Sequence, residues 1–151
     1  MLKIDLKKVL EEFGKTLDLE LAFDADGLCV LTLDDEIPIA IQAIEEDSSL
    51  TLSCALREEL PQPMSLAKVE DLLALALDPM ERGGASPIVG RDAENGLVVM
   101  YMVLTPSLLD KTPLAEIFGT FETTRKAVAE MLGEQLEATP TLDDHFSRMW
   151  V

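Results

Sequence analysis

Leu19-Glu20-Leu21-Ala22-Phe23-Asp24-Ala25-Asp26-Gly27-Leu28-Cys29-Val30-Leu31-Thr32-Leu33 places two apolar runs on either side of a turn. Leu19, Leu21 and Phe23 alternate with Glu20 and Ala22, the period of a half-buried strand. Asp24 to Gly27 supply turn chemistry before the run at 28–33. The stretch predicts a β-hairpin. Upstream, Leu6, Val9, Leu10, Phe13 and Leu17 fall at three-and-four spacing, with Lys7, Lys8, Glu11, Glu12 and Lys15 on the other side, so an amphipathic helix precedes the hairpin. Downstream, the acidic turn Asp34-Asp35-Glu36 leads into Ile37, Ile39 and Ile41, and residues 45–49 separate these from Leu50, Leu52, Cys54 and Leu56. The expectation is a four-strand antiparallel meander, with Pro38 confined to a strand start or an edge because it cannot donate to a ladder.

Pro61 and Pro63 end the meander. Ser65 can cap a helix whose stripe Leu66, Val69, Leu72 and Leu73 merges into the all-apolar Leu72-Leu73-Ala74-Leu75-Ala76-Leu77. A helix apolar all round must be covered on two sides, one of which a second subunit can supply. Asp78-Pro79 reads as its stop, and Gly83-Gly84 as a loop. Residues 88–91, the turn Asp92-Ala93-Glu94-Asn95-Gly96 and residues 97–104 predict a second hairpin whose later strand is apolar on both faces. Thr112 with Pro113 at the first helical position opens a last helix, with Leu114, Ile117, Phe118, Phe121, Val128, Met131 or Leu132, and Leu136 as its buried stripe. The predicted fold is α+β: an antiparallel twisted sheet with three helices in the order α-β-β-β-β-α-β-β-α. A single domain is expected over 1–136, with 137–151 as a tail lacking any sustained period.

The composition narrows the functional classes. A chain of 151 residues that is 48% apolar can fill one core. Its 29 Asp and Glu against 12 Lys and Arg, a net charge of −17, repel phosphate backbones and anionic lipid surfaces, so neither nucleic acid nor membrane insertion is expected. The longest apolar runs, 72–77 and 97–104, fall far short of the ~20 residues of a spanning helix, and Met1-Leu2-Lys3-Ile4-Asp5 has no signal-peptide pattern. Cys29 and Cys54 sit in strand-like runs with no CxxC pairing, which fits buried thiols in a cytosolic protein and leaves a disulfide between them open.

Catalytic signals are weak. The one histidine, His145, lies in the predicted tail, a poor place to support a nucleophile or a metal. Asp24 to Gly27 lacks the glycine at the sixth and glutamate at the twelfth position of a calcium loop, and the hairpin-turn reading is preferred there and at Asp92 to Gly96. Asp34, Asp35 and Glu36 read as a solvated turn, although a small acidic α/β enzyme holding Mg²⁺ there is the alternative class. Gly83-Gly84-Ala85-Ser86 is not followed by the Gly-Lys of a phosphate loop. No cofactor and no metal are expected. Met100 and Met102 alternate in one strand, as core filling or as an adaptable binding surface.

The stretch from Val9-Leu10-Glu11-Glu12-Phe13-Gly14 through Phe23-Asp24, Gly27 and Leu33-Asp34-Asp35 resembles the opening of the type III secretion chaperones of the CesT/Tir-chaperone family. That family begins with an amphipathic helix ending in Phe-Gly, a short strand ending in Phe-Asp, a glycine turn and a strand ending in Asp-Asp. It often has Gly where this chain has Asp18. The resemblance runs over roughly residues 2–136. It implies a cytoplasmic bacterial homodimer, not an enzyme, that binds the unfolded N-terminal segment of a secreted effector without ATP and delivers it to the export apparatus, with the secretion ATPase as a further partner. Phe23, Leu28, Val30, Ile39 and Ile41, on the best alternating strands, are the candidate effector-binding residues, though each singly reads as well as core. Leu73, Val99, Tyr101 and Val103, on the helix and strand that are apolar on two sides, are the candidate dimer interface. A regulatory adaptor domain binding a folded partner is a third class.

Overall fold

The computed structural model describes residues 2–32, 37–58, 64–82 (backbone alone from 75) and 87–133. Helix α1 (Leu6–Thr16) is followed by β1 (Leu28–Thr32), β2 (Pro38–Ile44), a 3-10 turn at Glu45–Asp47, β3 (Ser49–Arg57), α2 (Leu66–Arg82), β4 (Ile88–Arg91), β5 (Val98–Leu104), a short α3 (Pro106–Lys111) and α4 (Leu114–Leu132). The strands form one antiparallel sheet in the order β1-β2-β3-β5-β4. The α+β class and the antiparallel sheet agree with the sequence reading, while three details differ.

Residues 19–23 are not a ladder strand, so three strands and not four precede α2. The cause lies at the end of α1. Gly14 lets the chain double back: the Leu17 and Leu19 N–H groups both donate to its carbonyl, at 3.0 and 2.9 Å. A Cβ on Gly14 would stand 2.6 Å from the Leu19 carbonyl. Asp18 then takes a left-handed conformation, φ 56°. This tight exit carries Leu21 and Phe23 onto the core, where both are half-buried.

Second, α2 continues through Asp78-Pro79 to Arg82. A proline's φ is itself helical; it deletes one donor without forcing the chain out of the last turn. Third, the Thr-Pro helix start occurs twice. Thr105 caps α3, its hydroxyl accepting from the Leu108 N–H at 3.2 Å, with Pro106 in the first turn, whereas Pro113 is the N-cap of α4. The tail at 137–151, with His145, and the acidic turn at Asp34, Asp35 and Glu36 lie outside the described residues.

Alternation divides the sheet into two faces. Cys29 and Leu31, Ile39, Ile41 and Ala43, Leu50, Leu52, Cys54 and Leu56, and Met100, Met102 and Leu104 pack against Leu6, Leu10 and Phe13 of α1 and Leu114, Ile117, Phe118, Phe121, Val128 and Leu132 of α4. The two helices meet at Phe13 and Phe118, whose ring centroids are 4.9 Å apart. Met100 and Met102 are thus core filling. Cys29 stands opposite Ile41, which stands opposite Leu52, so Cys54 is two strands away and further along. The separation, roughly 10 Å or more, exceeds the ~7 Å that a disulfide can bridge. Neither thiol is in a disulfide, and both are buried.

One arginine ties α4 to the sheet and another is braced within it. Arg57 at the end of β3 donates from Nη1 to the Leu132 carbonyl at 2.9 Å, satisfying a helix-terminal acceptor. Arg125, enclosed on the core side, donates to both carboxylate oxygens of Glu122, at 2.7 and 3.2 Å. Asp tolerates the left-handed region better than a β-branched residue does. Asp18→Val is therefore expected to lower stability by about 1–2 kcal/mol in urea unfolding, while Asp18→Gly holds it or raises it by up to about 1 kcal/mol. Equal midpoints for the two variants would contradict this account of the α1 exit.

Candidate functional site

The second sheet face is built from the residues between those of the core. Its register rows are Leu28–Gln42–Thr51–Val103, then Val30–Ala40–Ser53–Tyr101–Ile88, then Ala55–Val99–Gly90. Small side chains occupy the middle strands, and larger apolar ones stand on β1 and β5. Val30 is 40% exposed and Val103 47%, while Tyr101 and Leu28 are half-buried. Ala55, Leu97 and Val99 form a separate small apolar cluster. The Ser53 hydroxyl is sealed in the centre of this face with no hydrogen-bond partner among the described residues. A buried, unsatisfied hydroxyl costs ~1–3 kcal/mol, so Ser53→Ala is expected to raise the thermal midpoint by a few degrees in calorimetry.

β1 is the outermost strand on its side of the sheet. The Ala43 N–H donates to the Gly27 carbonyl at 2.8 Å. This bond, one step beyond the Leu28↔Gln42 pair, fixes the parity of the ladder. Residues 27, 29 and 31 turn their backbone groups toward β2, and 28, 30 and 32 turn theirs outward. The same parity accommodates Pro38: it stands opposite Thr32, where no ladder bond to β1 is made, and precedes the first β2–β3 pair, Ala40↔Ser53. Leu28's outward groups are used, its N–H by Asp24 Oδ1 at 3.0 Å and its carbonyl by the Asp24 N–H at 2.9 Å. Those of Val30 and Thr32 have no partner among the described residues. The result is a short open edge beside an exposed valine.

The Asp24 turn fixes where that edge starts. Its Oδ1 also accepts from the Asp26 N–H at 2.8 Å, and Gly27 sits at φ 77°, so the side chain braces the turn. Gln42 Nε2 donates to the Asp26 carbonyl at 3.0 Å and holds the turn against β2. Burial pushes the Cys29 thiol up, offset in part by the Ala22 N–H. A neutral buried thiol is a poor nucleophile. Among the described residues no three His, Cys, Asp or Glu side chains gather to hold a metal, and no helix is long and apolar enough to cross a membrane.

The structure distributes the residues singled out from sequence unevenly. Leu28 and Val30 lie on the second face. Phe23 is half-buried on the core side next to β1. Ile39 and Ile41 are wholly enclosed beneath the helices, 0% exposed, so they back the sheet and present no surface. Leu73 on α2 is 66% exposed; Val103, Tyr101 and Val99 share the second face of β5, with Val99 covered. α2 lies against β4 at the opposite side of the sheet from β1. Thr32, whose outward backbone completes the edge, was missed in the sequence because alternation shows side-chain faces and not which backbone groups are paired.

An α-helix, a glycine-turned edge strand, a five-strand antiparallel sheet and a long closing helix are the architecture of a secretion-chaperone fold. The chain belongs to the Tir chaperone protein (CesT) family, whose profile matches residues 8–127. Among solved structures it is similar to a chain of the HopA1–SchA chaperone–effector complex, with 23% identity, a TM-score of 0.66, and coverage of 84% of this chain and 98% of that one. It is also similar to the Yersinia pestis type III secretion chaperone SycH complexed with a fragment of YscM2 (18% identity, TM-score 0.63, 82% and 99% covered). A third similar structure is the ExoU–SpcU heterodimer of the Pseudomonas aeruginosa type III secretion system (14%, 0.62, 85% and 98%). At these identities the likeness is one of fold. Comparison with curated protein sequences finds no match.

The burial of the two isoleucines separates two sets of variants. Ile41→Glu places an unpaired carboxylate in the core and is expected to cost more than ~4 kcal/mol, leaving little folded protein. Val30→Glu and Val103→Glu meet solvent and are expected to keep native circular dichroism and a thermal midpoint within a few degrees of the parent. A folded Ile41→Glu chain would contradict the assignment of the core face.

Proposed function

We propose that this chain is a type III secretion chaperone. As a homodimer in the bacterial cytoplasm it binds the unfolded N-terminal segment of a secreted effector, keeps it soluble and export-competent, and delivers it to the export apparatus, the secretion ATPase included. It does so without cofactor or catalysis. Membership of the family supports this reading, and the observation that carries it is the open edge at Val30 and Thr32 beside exposed apolar side chains. An extended polypeptide gains main-chain hydrogen bonds by adding to such an edge, and gains specificity from alternate side chains set against the neighbouring surface.

Leu28 and Val30 contact the segment on the second face, and Phe23 borders it on the core side, with Ile39 and Ile41 as rigid backing. The dimer forms at the far side of the sheet through Leu73, Tyr101 and Val103, over Val99. Separation of the two regions leaves one effector edge on each subunit. The net charge of −17 keeps such a protein dispersed while it displays apolar surface.

Thr32→Pro isolates the edge, because the N–H it deletes points away from β2. The variant is expected to fold, dimerise by light scattering, and lose at least ~90% of the secreted polypeptide that co-purifies with the parent from its native cell, a loss of more than tenfold in affinity, or more than about 1.4 kcal/mol. Undiminished co-purification with both Thr32→Pro and Val30→Glu would refute the edge as the binding site. Recovery of a folded partner instead of an extended segment would favour the adaptor class.

A further inference from the structure

Residues 19–23 have the sequence of a strand, lie next to an open strand edge and yet make no ladder with it. Both ends of this strap are already fixed: Leu19 by its hydrogen bond to Gly14, and Asp24 by its paired bonds with Leu28, at 2.9 and 3.0 Å. The main-chain bond from the Asp24 N–H to the Leu28 carbonyl, with the Leu28 N–H held by the Asp24 side chain and the Gly27 N–H by the Asp24 carbonyl, starts a hairpin. Continued in the same register, it sets Ala22 opposite Val30 and Glu20 opposite Thr32, and their main-chain groups meet the very N–H and C=O groups that β2 leaves outward. Leu21 and Phe23 then fall opposite Leu31 and Cys29, on the core face where they already pack, so closing the strap requires no apolar side chain to change sides. Ala22 and Glu20 fall on the second face, where their exposed side chains meet solvent.

We infer that residues 20–23 are an intramolecular strap, open in this structure, that zips onto β1 as a sixth strand in the free chain in solution, and that an incoming segment competes with its closure. The inference rests on the edge-binding reading above and adds to it a built-in competitor. A closed strap covers an edge that would otherwise pair with any extended chain, and it restricts capture to segments that outcompete Glu20-Leu21-Ala22-Phe23.

The test is amide hydrogen exchange of the free chain, resolved by NMR. The Val30 and Thr32 amides are expected to be protected at least tenfold over unpaired amides, and Ala22→Pro, which deletes the central donor of the strap, to remove that protection while Leu52 and Met102 stay protected. Unprotected Val30 and Thr32 amides in the parent chain, or protection unchanged in Ala22→Pro, would overturn the strap. Should Ala22→Pro not fold, Glu20→Cys with Thr32→Cys replaces it. Both positions are exposed, and mild oxidation is expected to join them in one intramolecular disulfide; a folded chain that stays reduced overturns the proposal. The oxidised chain is further expected to lose its co-purifying polypeptide and regain it on reduction. Closure without any effect on capture would retain the strap and instead refute the edge as the binding site.

Discussion

The pairing of β1 with β2 is the constraint on which the rest depends. Because side chains alternate and backbone groups alternate with them, one register decides two things at once. It sends Cys29 and Leu31 under α1 and α4, and it turns the main chain of Val30 and Thr32 toward the outside of the sheet. A slip of one residue would expose the pair that now completes the core and would turn the main chain of Val30 and Thr32 inward toward β2. The braces around the Asp24 turn, with Asp24 accepting from two amides and Gln42 bonding the Asp26 carbonyl, set that register.

On the proposed reading, a protein of this design binds by leaving part of its own secondary structure unfinished. The body is closed with ordinary means: a helix pair joined at Phe13 and Phe118, and a terminal carbonyl of α4 taken up by Arg57. The rigid helical side makes the open side usable, since an edge strand can template another chain only if its own ladder does not move. Ile39 and Ile41 belong to this role. The acidic surface answers the hazard that an open edge brings, namely pairing between copies, by mutual repulsion within about a Debye length.

Much of this was legible in the sequence where one physical signal acted alone. The stripe of α1, the Asp92–Gly96 hairpin and the stripe of α4 follow from periodicity and turn chemistry, and the structure has them in place. The rest required tertiary information. Alternation in β2 groups Ile39 with Ile41 but cannot say which face the helices cover when both faces are apolar, so buried backing read as surface. The strand pattern at 19–23 is real, but the helix exit at Gly14 and Asp18 sets those residues beside β1 with Leu21 and Phe23 on the core side and no ladder in this structure. Pro79 read as a stop because a proline's lost donor is visible in sequence, while its helical φ, which lets α2 run on to Arg82, competes unseen.

The central claim is that a secreted polypeptide lies along β1, and the most direct measurement is an isotope-filtered NOE experiment on the complex, with this chain labelled and the bound polypeptide unlabelled. The account predicts cross-peaks from the Val30 and Thr32 amides to α-protons of the bound chain, in the pattern of an added strand. A complex that shows its intermolecular contacts on α2 or α4 and none along β1 would contradict it.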